Sequence, residues 1–159
     1  MGMQPVPLLM HRLIERGAVV CPDEEIVTAT TSGTRRQTYR QTRARAHQLA
    51  YALIAQGIQP GDRIATFMWN SATHLEVYWA CAGLGIVLHT LNIRLGPTDL
   101  EYIINHAADK LIIVDADLLP ALEAVKGKIP TVDSLVVSCL LYTSPSPRDL
   151  STSRMPSSA

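Results

Sequence analysis

The stretch Gly61–Leu95, GDRIATFMWNSATHLEVYWACAGLGIVLHTLNIRL, carries the strongest indication of the fold of this chain. After the opening turn, the short apolar run Ile64–Met68 predicts a buried strand. A helical segment follows to about Leu84, and Ile86–Leu88 is a second buried run. A strand, a helix and a strand of these lengths form a right-handed parallel crossover. The stretch therefore predicts an α/β fold with a parallel sheet.

The same alternation continues toward the C-terminus. Pro97 suits the first turn of a third helix, and Leu111–Val114 is typical of a third strand. Asp117–Lys126 is predicted to be a fourth helix, in which Pro120 is tolerated because it lies in the first turn. Leu135–Val137 begins a fourth strand.

A β-hairpin is predicted to precede the sheet. Glu25–Thr30 and Thr34–Tyr39 are rich in β-branched residues and flank a Ser-Gly turn. Thr38 and Gln41 match the capping-box pattern, which places the start of a helix directly after the hairpin. Residues 1–17 are predicted to contain a short amphipathic helix.

Composition restricts the class of protein. With 159 residues, 47% hydrophobic and 18% charged, the chain is one domain or part of one. Fourteen basic residues balance fourteen acidic ones, which argues against broad binding to nucleic acid or to an anionic membrane. No apolar run reaches the roughly 20 residues that a membrane-spanning helix needs.

The cysteines and histidines favour neither disulfides nor a metal site. Cys21, Cys81 and Cys139 form an odd, scattered set, typical of reduced thiols in the cytoplasm. The five histidines are dispersed and form no Cys/His cluster, so no metal ligand is predicted.

Several sequence segments, taken in order, resemble those of a known family. They are Thr38-Tyr39 before an amphipathic helix, GIQPGDRIA at Gly57–Ala65, WNSATHLEVYWACAGLGIVLHTLNIRL at Trp69–Leu95, and LEYIINHAADKLIIVD at Leu100–Asp115. Together they resemble the N-terminal region of the AMP-dependent, adenylate-forming acyl-CoA synthetases. Within that family they are most similar in sequence to the medium-chain fatty acid and methylthiopropionyl-CoA ligases. The resemblance covers about residues 8–137.

The resemblance implies a two-step ligase. A fatty or related small carboxylic acid reacts with ATP to give an acyl-adenylate and diphosphate, and coenzyme A then displaces AMP to give acyl-CoA. Backbone N–H groups, cationic side chains and Mg²⁺ stabilise phosphate charge in such chemistry. The family's phosphate loop, later nucleotide motifs and C-terminal lysine are absent here. The chain is therefore expected to be the first part of the large N-terminal domain, with no catalytic or cofactor-binding residue and little activity alone. The resemblance also implies contacts in a homodimer of the whole enzyme.

One segment imitates the phosphate loop. Thr30–Thr34, TTSGT, matches the first half of that loop but continues Arg35-Arg36-Gln37. It also lies between two strand-like runs near the N-terminus, so a hairpin turn is predicted instead.

Three candidate substrate-binding residues follow predicted strands. Trp69 comes after the first strand of the sheet, and His89 and Asn92 lie at the end of the second. Ligands of open parallel sheets bind beyond the carboxyl ends of the strands. His89 is therefore predicted either to approach the acyl pocket or to brace a loop that does. The alternative is a histidine bonded to backbone, and Trp69 is equally compatible with simple packing.

Other polar residues have structural interpretations. Asn70 or Ser71 is predicted to cap a helix, and Cys81 to be a small core residue. Glu76 is expected to be solvated or paired. The basic cluster is interpreted as a solvated face, since no aromatic residues are interleaved with it; its members are Arg35, Arg36, Arg40, Arg43 and Arg45.

The periodic pattern stops after Val137. Residues 138–159 are rich in Ser, Pro and Thr, which predicts either a flexible terminus or translated adapter sequence of no evolved function. The expected organisation is a partial ligase domain over residues 1–137 and a disordered tail over 138–159. A stand-alone, non-catalytic α/β binding module remains the alternative function.

Overall fold

A computed structural model describes residues 7, 9–30 and 33–138. The elements in chain order are α1 (His11–Val20), β1 (Glu25–Thr30), β2 (Gly33–Thr38), α2 (Tyr39–Ala55), β3 (Arg63–Phe67), α3 (Ala72–Leu84), β4 (Val87–Thr90), α4 (Pro97–Ala107), β5 (Leu111–Asp115), α5 (Leu119–Glu123), a 3-10 turn (Lys126–Lys128) and β6 (Ser134–Ser138).

Four strands form a parallel sheet in the order β4-β3-β5-β6. In its centre Ala65 lies between His89 of β4 and Ile112 of β5. The first two strands form a separate antiparallel hairpin, in which Thr30 pairs with Gly33. The predicted α/β class, parallel sheet and preceding hairpin are confirmed.

Both faces of the sheet are covered because its two central strands are apolar on both sides. Ile64 and Leu111 pack with α2 and α3 on one face. Ala65, Phe67 and Ile112 pack with α4 and α5 on the other face. The chain moves from β3 to β4 at the edge of the sheet and then passes back across β3 to β5. Both connections are right-handed crossovers, and because they run in opposite directions, their helices lie on opposite faces of the sheet.

Helix boundaries follow local capping chemistry. The Thr38 hydroxyl accepts from the Gln41 N–H at 3.2 Å, and the Gln41 side chain accepts from the Thr38 N–H at 2.9 Å. The capping box at α2 is therefore confirmed. Ser71, one of two predicted caps of α3, accepts from the His74 N–H at 3.1 Å. Gly85 ends α3 with φ +68°, a conformation that favours glycine.

A buried polar network fastens the hairpin to the sheet domain. The carboxylate of Glu76, only 4% exposed, accepts from the Gln37 amide at 2.7 Å and from Arg45 at 2.6 Å. The same Gln37 amide donates to Thr42 at 2.9 Å. At the start of α3, the Thr28 hydroxyl accepts from the Ala72 N–H at 3.0 Å. Glu76 is thus paired and buried, and a hairpin that lacks a core of its own is held by hydrogen bonds.

Arg36 pairs with Glu25 and Arg40 with Asp23 at the surface. Cys81 is buried in the core, and burial raises the pKa of its thiol to about 12. Of the helices in the described part of the chain, none has the length and apolarity to cross a bilayer.

The end of the domain departs from expectation. The predicted helix Asp117–Lys126 was too long: α5 spans only Leu119–Glu123 and a 3-10 turn follows it. The Asp117 carboxylate bonds a tryptophan of another loop instead of entering the helix. Ser138, the first residue of the predicted tail, pairs with Asp115 in β6. The remaining tail lies outside the described residues, as do most of residues 1–8.

Loss of the Glu76 carboxylate should destabilise the domain. Glu76→Ala removes the acceptor of a buried Gln37 amide, whereas the half-exposed Arg45 can return to water. We expect a loss of about 2–3 kcal/mol in the free energy of unfolding, measured by urea denaturation. Glu76→Gln keeps an acceptor oxygen and should cost about 1 kcal/mol.

The matched control is Glu101→Ala, which removes an exposed ion pair with Lys128 and should cost less than about 1 kcal/mol. Equal losses in Glu76→Ala and Glu101→Ala would contradict the assigned role of the network.

Candidate functional site

A cleft opens at the carboxyl ends of β3 and β4. The chain leaves β3 toward α3 on one face of the sheet and leaves β4 toward α4 on the other face. Such a split between neighbouring strands is where parallel sheets bind ligands. The carboxyl-edge cleft has a volume of about 280 Å³ and is lined by Met68, Trp69, Asn70, His74, Tyr78, Thr90, Leu91, Asn92, Ile93 and Arg94.

Trp69 forms one wall of the cleft and is held from the neighbouring strand β5. Its backbone N–H donates to Asp115 Oδ2 at 2.8 Å, and its indole Nε1–H donates to Asp117 Oδ2 at 2.9 Å. Sequence reasoning missed both aspartates. The available signal was their position at the carboxyl end of the third predicted strand, which lies beside the first in the sheet.

His74 holds the same loop from α3. Its Nδ1 lies 3.2 Å from the Trp69 carbonyl oxygen, and its Nε2 lies 2.9 Å from the Thr66 hydroxyl. Burial lowers the pKa of His74, so the imidazole is neutral near pH 7. A neutral ring with its proton on Nδ1 donates to the carbonyl and accepts from Thr66. His74 was also missed, because a histidine inside a helix gives no signal of its partners.

Asp115 is a fully buried carboxyl group. Burial raises its pKa to about 6, and the like charge of Asp117 acts in the same direction. The Trp69 N–H and the Ser138 hydroxyl oppose that shift by donating to the carboxylate. The acid is therefore ionised at neutral pH at a cost to stability.

Asn92 shapes the opposite wall. Its Oδ1 accepts from the Arg94 N–H at 3.0 Å, which fixes the turn that leaves β4. The structure thus brings two of the three candidate residues, Trp69 and Asn92, into one cleft.

His89, the third candidate, lies elsewhere. Its Nδ1 is 2.8 Å from Oδ2 of Asp109, a fully buried carboxyl just before β5. This contact links the edge strand β4 to the segment that precedes β5, on the other side of the intervening strand β3. His89 is not among the residues that line the cleft, and its contact is with a side chain instead of the backbone group predicted as the alternative. The prediction that it braces a loop of the pocket stays a prediction. Burial raises the pKa of Asp109, and the hydrogen bond from His89 opposes that rise.

The TTSGT segment, Thr30–Thr34, includes the last residue of β1 and the first residues of β2. Thr30 pairs with Gly33 in the β1–β2 hairpin, and residues 31 and 32 of the predicted turn lie outside the described residues. Within the described residues, no three His, Cys, Asp or Glu side chains converge as metal ligands.

The sequence of the chain has clear relatives. The sequence profile of the AMP-binding enzyme family matches residues 14–156, and the chain belongs to this family. It is 41% identical over 136 residues to a 3-methylmercaptopropionyl-CoA ligase of Ruegeria lacuscaerulensis and 43% identical over 136 residues to a long-chain-fatty-acid–CoA ligase of Thermus thermophilus. Each match covers 85% of this chain and 25% of the relative. The chain thus spans about a quarter of their length.

The fold is also similar to solved structures of acyl-CoA synthetases and ligases. A fatty acyl CoA synthetase of Mycobacterium tuberculosis superposes with a TM-score of 0.75 and 28% identity, over 82% of this chain and 26% of that one. The N-terminal domain of an enzyme named FACL13 from the same organism also gives 0.75, over 82% and 33%. An anthranilate CoA ligase in complex with anthranoyl-AMP gives 0.76 at 26% identity, over 87% and 27%.

The ionisation of Asp115 should appear in the pH dependence of stability. A carboxyl whose pKa is raised in the folded state binds its proton more tightly there, so stability falls as pH rises from about 4 to about 6. A shift of this size corresponds to about 3 kcal/mol. Asp115→Asn keeps an acceptor oxygen and cannot ionise.

Urea denaturation of both proteins between about pH 4 and pH 7 is the measurement. As pH rises over this range, the free energy of unfolding of Asp115→Asn should increase relative to that of the unsubstituted chain by up to about 3 kcal/mol. Comparison of the two proteins cancels other titrating groups, including Glu15 and Asp62, whose lowered pKa values act in the opposite direction. Parallel curves would show that Asp115 titrates normally.

Proposed function

We propose that this chain is part of an ATP-dependent acyl-CoA ligase. The whole enzyme would convert a fatty or related small carboxylic acid, ATP and coenzyme A into acyl-CoA, AMP and diphosphate through an acyl-adenylate. The observation that carries the proposal is the family membership, with ligases for fatty and methylthio acids among relatives at 40–43% identity. The chain by itself is proposed to be inactive.

Within that enzyme, the carboxyl-edge cleft is proposed to contact the acyl substrate. Trp69 and Tyr78 supply aromatic surface, while Asn92 and Arg94 supply polar groups at the opposite wall. Mixed walls of this kind bury an apolar chain and orient a polar end. His89 is proposed to act indirectly, by bracing β4, whose exit loop carries Asn92.

The cofactors are assigned to the whole enzyme. ATP and coenzyme A are proposed as its cosubstrates and Mg²⁺ as its metal. Among the described residues no three His, Cys, Asp or Glu side chains converge as metal ligands, so no residue of this chain is assigned to Mg²⁺. No chemical step through the metal is therefore assigned to this chain.

Compartment and assembly are part of the same proposal. Cys21 and Cys81 are free thiols, in keeping with a cytoplasmic enzyme. The acid is the proposed partner, and nucleic acid is not, since four basic side chains of the arginine cluster are paired with acids: Arg36, Arg40, Arg43 and Arg45. The homodimer stays a prediction.

An assay of acid-dependent AMP release tests the activity. Two proteins are assayed: the one encoded by the open reading frame recovered from the source transcript, and the 159-residue chain. Each is given ATP, Mg²⁺, coenzyme A and acids of graded chain length. We expect acyl-CoA from the former and none from the latter. Truncating the cleft wall with Trp69→Ala should lower kcat/KM for the acid by about 10-fold or more, the cost of losing a buried aromatic contact.

The control is Tyr102→Ala, an exposed position on α4 outside the cleft, which should leave kcat/KM unchanged. The proposal would be refuted if the 159-residue chain formed acyl-CoA, or if the protein encoded by the recovered reading frame formed none.

Residues 138–159 are proposed to be foreign to the enzyme. Long-read sequencing of the transcript across the Val137 codon tests this. Continuation into a Ser/Thr/Gly-rich loop ending in Gly-x-Pro-Lys would support it. A stop codon directly after Ala159 would instead favour a binding module with a natural tail.

A further inference from the structure

The loop between β3 and α3 has an unusual means of support. Beyond Phe67, which pairs with Val114, the backbone ladder between β3 and β5 ends. The next N–H available on this side, that of Trp69, bonds the Asp115 side chain instead of a backbone carbonyl. A carboxylate thus extends the sheet by one hydrogen bond after the strands have separated.

Three contacts from different elements converge on Trp69. Asp115 at the end of β5 takes its backbone N–H, Asp117 beyond β5 takes its indole N–H, and His74 of α3 contacts its carbonyl oxygen. These contacts fix both the backbone and the ring orientation of a residue that is only half-buried. A surface tryptophan that served packing alone would not need its peptide group and its ring held separately.

We propose that Asp115 is a positioning residue that, together with His74 and Asp117, holds Trp69 in place as a wall of the carboxyl-edge cleft. The role in substrate binding rests on the proposed ligase function, whereas the positioning of Trp69 does not. The class of ligand that this wall meets is the apolar part of a carboxylic acid.

The chemistry of Asp115 supports a role beyond stability. Its carboxyl is fully buried, and burial raises its pKa to about 6. Asparagine would offer the same acceptor without the cost of a buried charge. Carboxyl groups held at such a cost beside a cleft are typical of functional sites.

Tryptophan fluorescence tests the positioning directly. The chain has two tryptophans, Trp69 and Trp79, so Trp79→Phe leaves Trp69 as the reporter. In this background Asp115→Ala should shift the emission of Trp69 to the red and increase its quenching by acrylamide, because the loop is released into water. Asp115→Asn should restore both, since its amide oxygen still accepts the N–H.

The matched control is Asp109→Ala, which removes another fully buried carboxyl, one that lies just before β5 and contacts His89 instead of Trp69. It should lower stability and leave the emission of Trp69 unchanged. Emission of Asp115→Ala identical to that of the parent protein, or equal shifts in both alanine variants, would overturn the proposal.

A second measurement needs no destabilising variant. In the unsubstituted chain, the amide proton of Trp69 should follow the titration of the carboxyl that it bonds, with a midpoint near pH 6, in ¹⁵N-resolved NMR spectra. This titration should vanish in Asp115→Asn. A Trp69 amide that is insensitive to pH in the unsubstituted chain would also overturn the proposal.

The enzyme assay separates this inference from the proposed function. In an active ligase, Asp115→Ala should lower kcat/KM for the acid by up to about 100-fold, the effect of a misplaced binding group, and Asp115→Asn should recover most of it. Normal fluorescence responses in a protein without ligase activity would refute the function and leave the positioning intact. Full ligase activity in Asp115→Ala would refute the role in substrate binding alone.

Discussion

The structure depends on one constraint: β3 and β5 are apolar on both faces and must be covered on both. Ile64 and Leu111 require helices on one side, and Phe67 and Ile112 require helices on the other. The chain meets this requirement by reversing direction after β4. The reversal sends the loops after β3 and β4 to opposite faces, and the carboxyl-edge cleft opens between them.

The cleft is shaped by polar groups that the apolar core does not specify. Buried carboxyl groups lie at both ends of β5: Asp109 before the strand, in contact with His89, and Asp115 at its end, in contact with Trp69. The first braces an edge strand and the second a loop of the cleft. Because β5 is central, Asp115 reaches the loop that follows the adjacent strand β3, and Asp109 reaches β4 on the far side of β3.

The hairpin depends on a similar device. Its strands bury little apolar surface, and Glu76 of α3 holds it through Gln37 while Thr28 caps α3 in return. A carboxylate that sequence reasoning could describe only as solvated or paired thus joins two parts of the domain. Its partners come from residues 39 and 31 positions earlier in the chain.

Local sequence pattern was enough to predict the order of the elements, the parallel sheet, the hairpin and the capping box at Thr38, and the order of similar segments was enough to indicate the family. The same pattern predicted that Trp69 and Asn92 follow strands. The contact of His89 with Asp109, and the convergence of Asp115, Asp117 and His74 on Trp69, could be seen only in the folded structure. Those contacts depend on which strands are neighbours, and the crossover past β3 makes β5, not β4, the partner of the Trp69 loop. Periodicity in one dimension carries no such information.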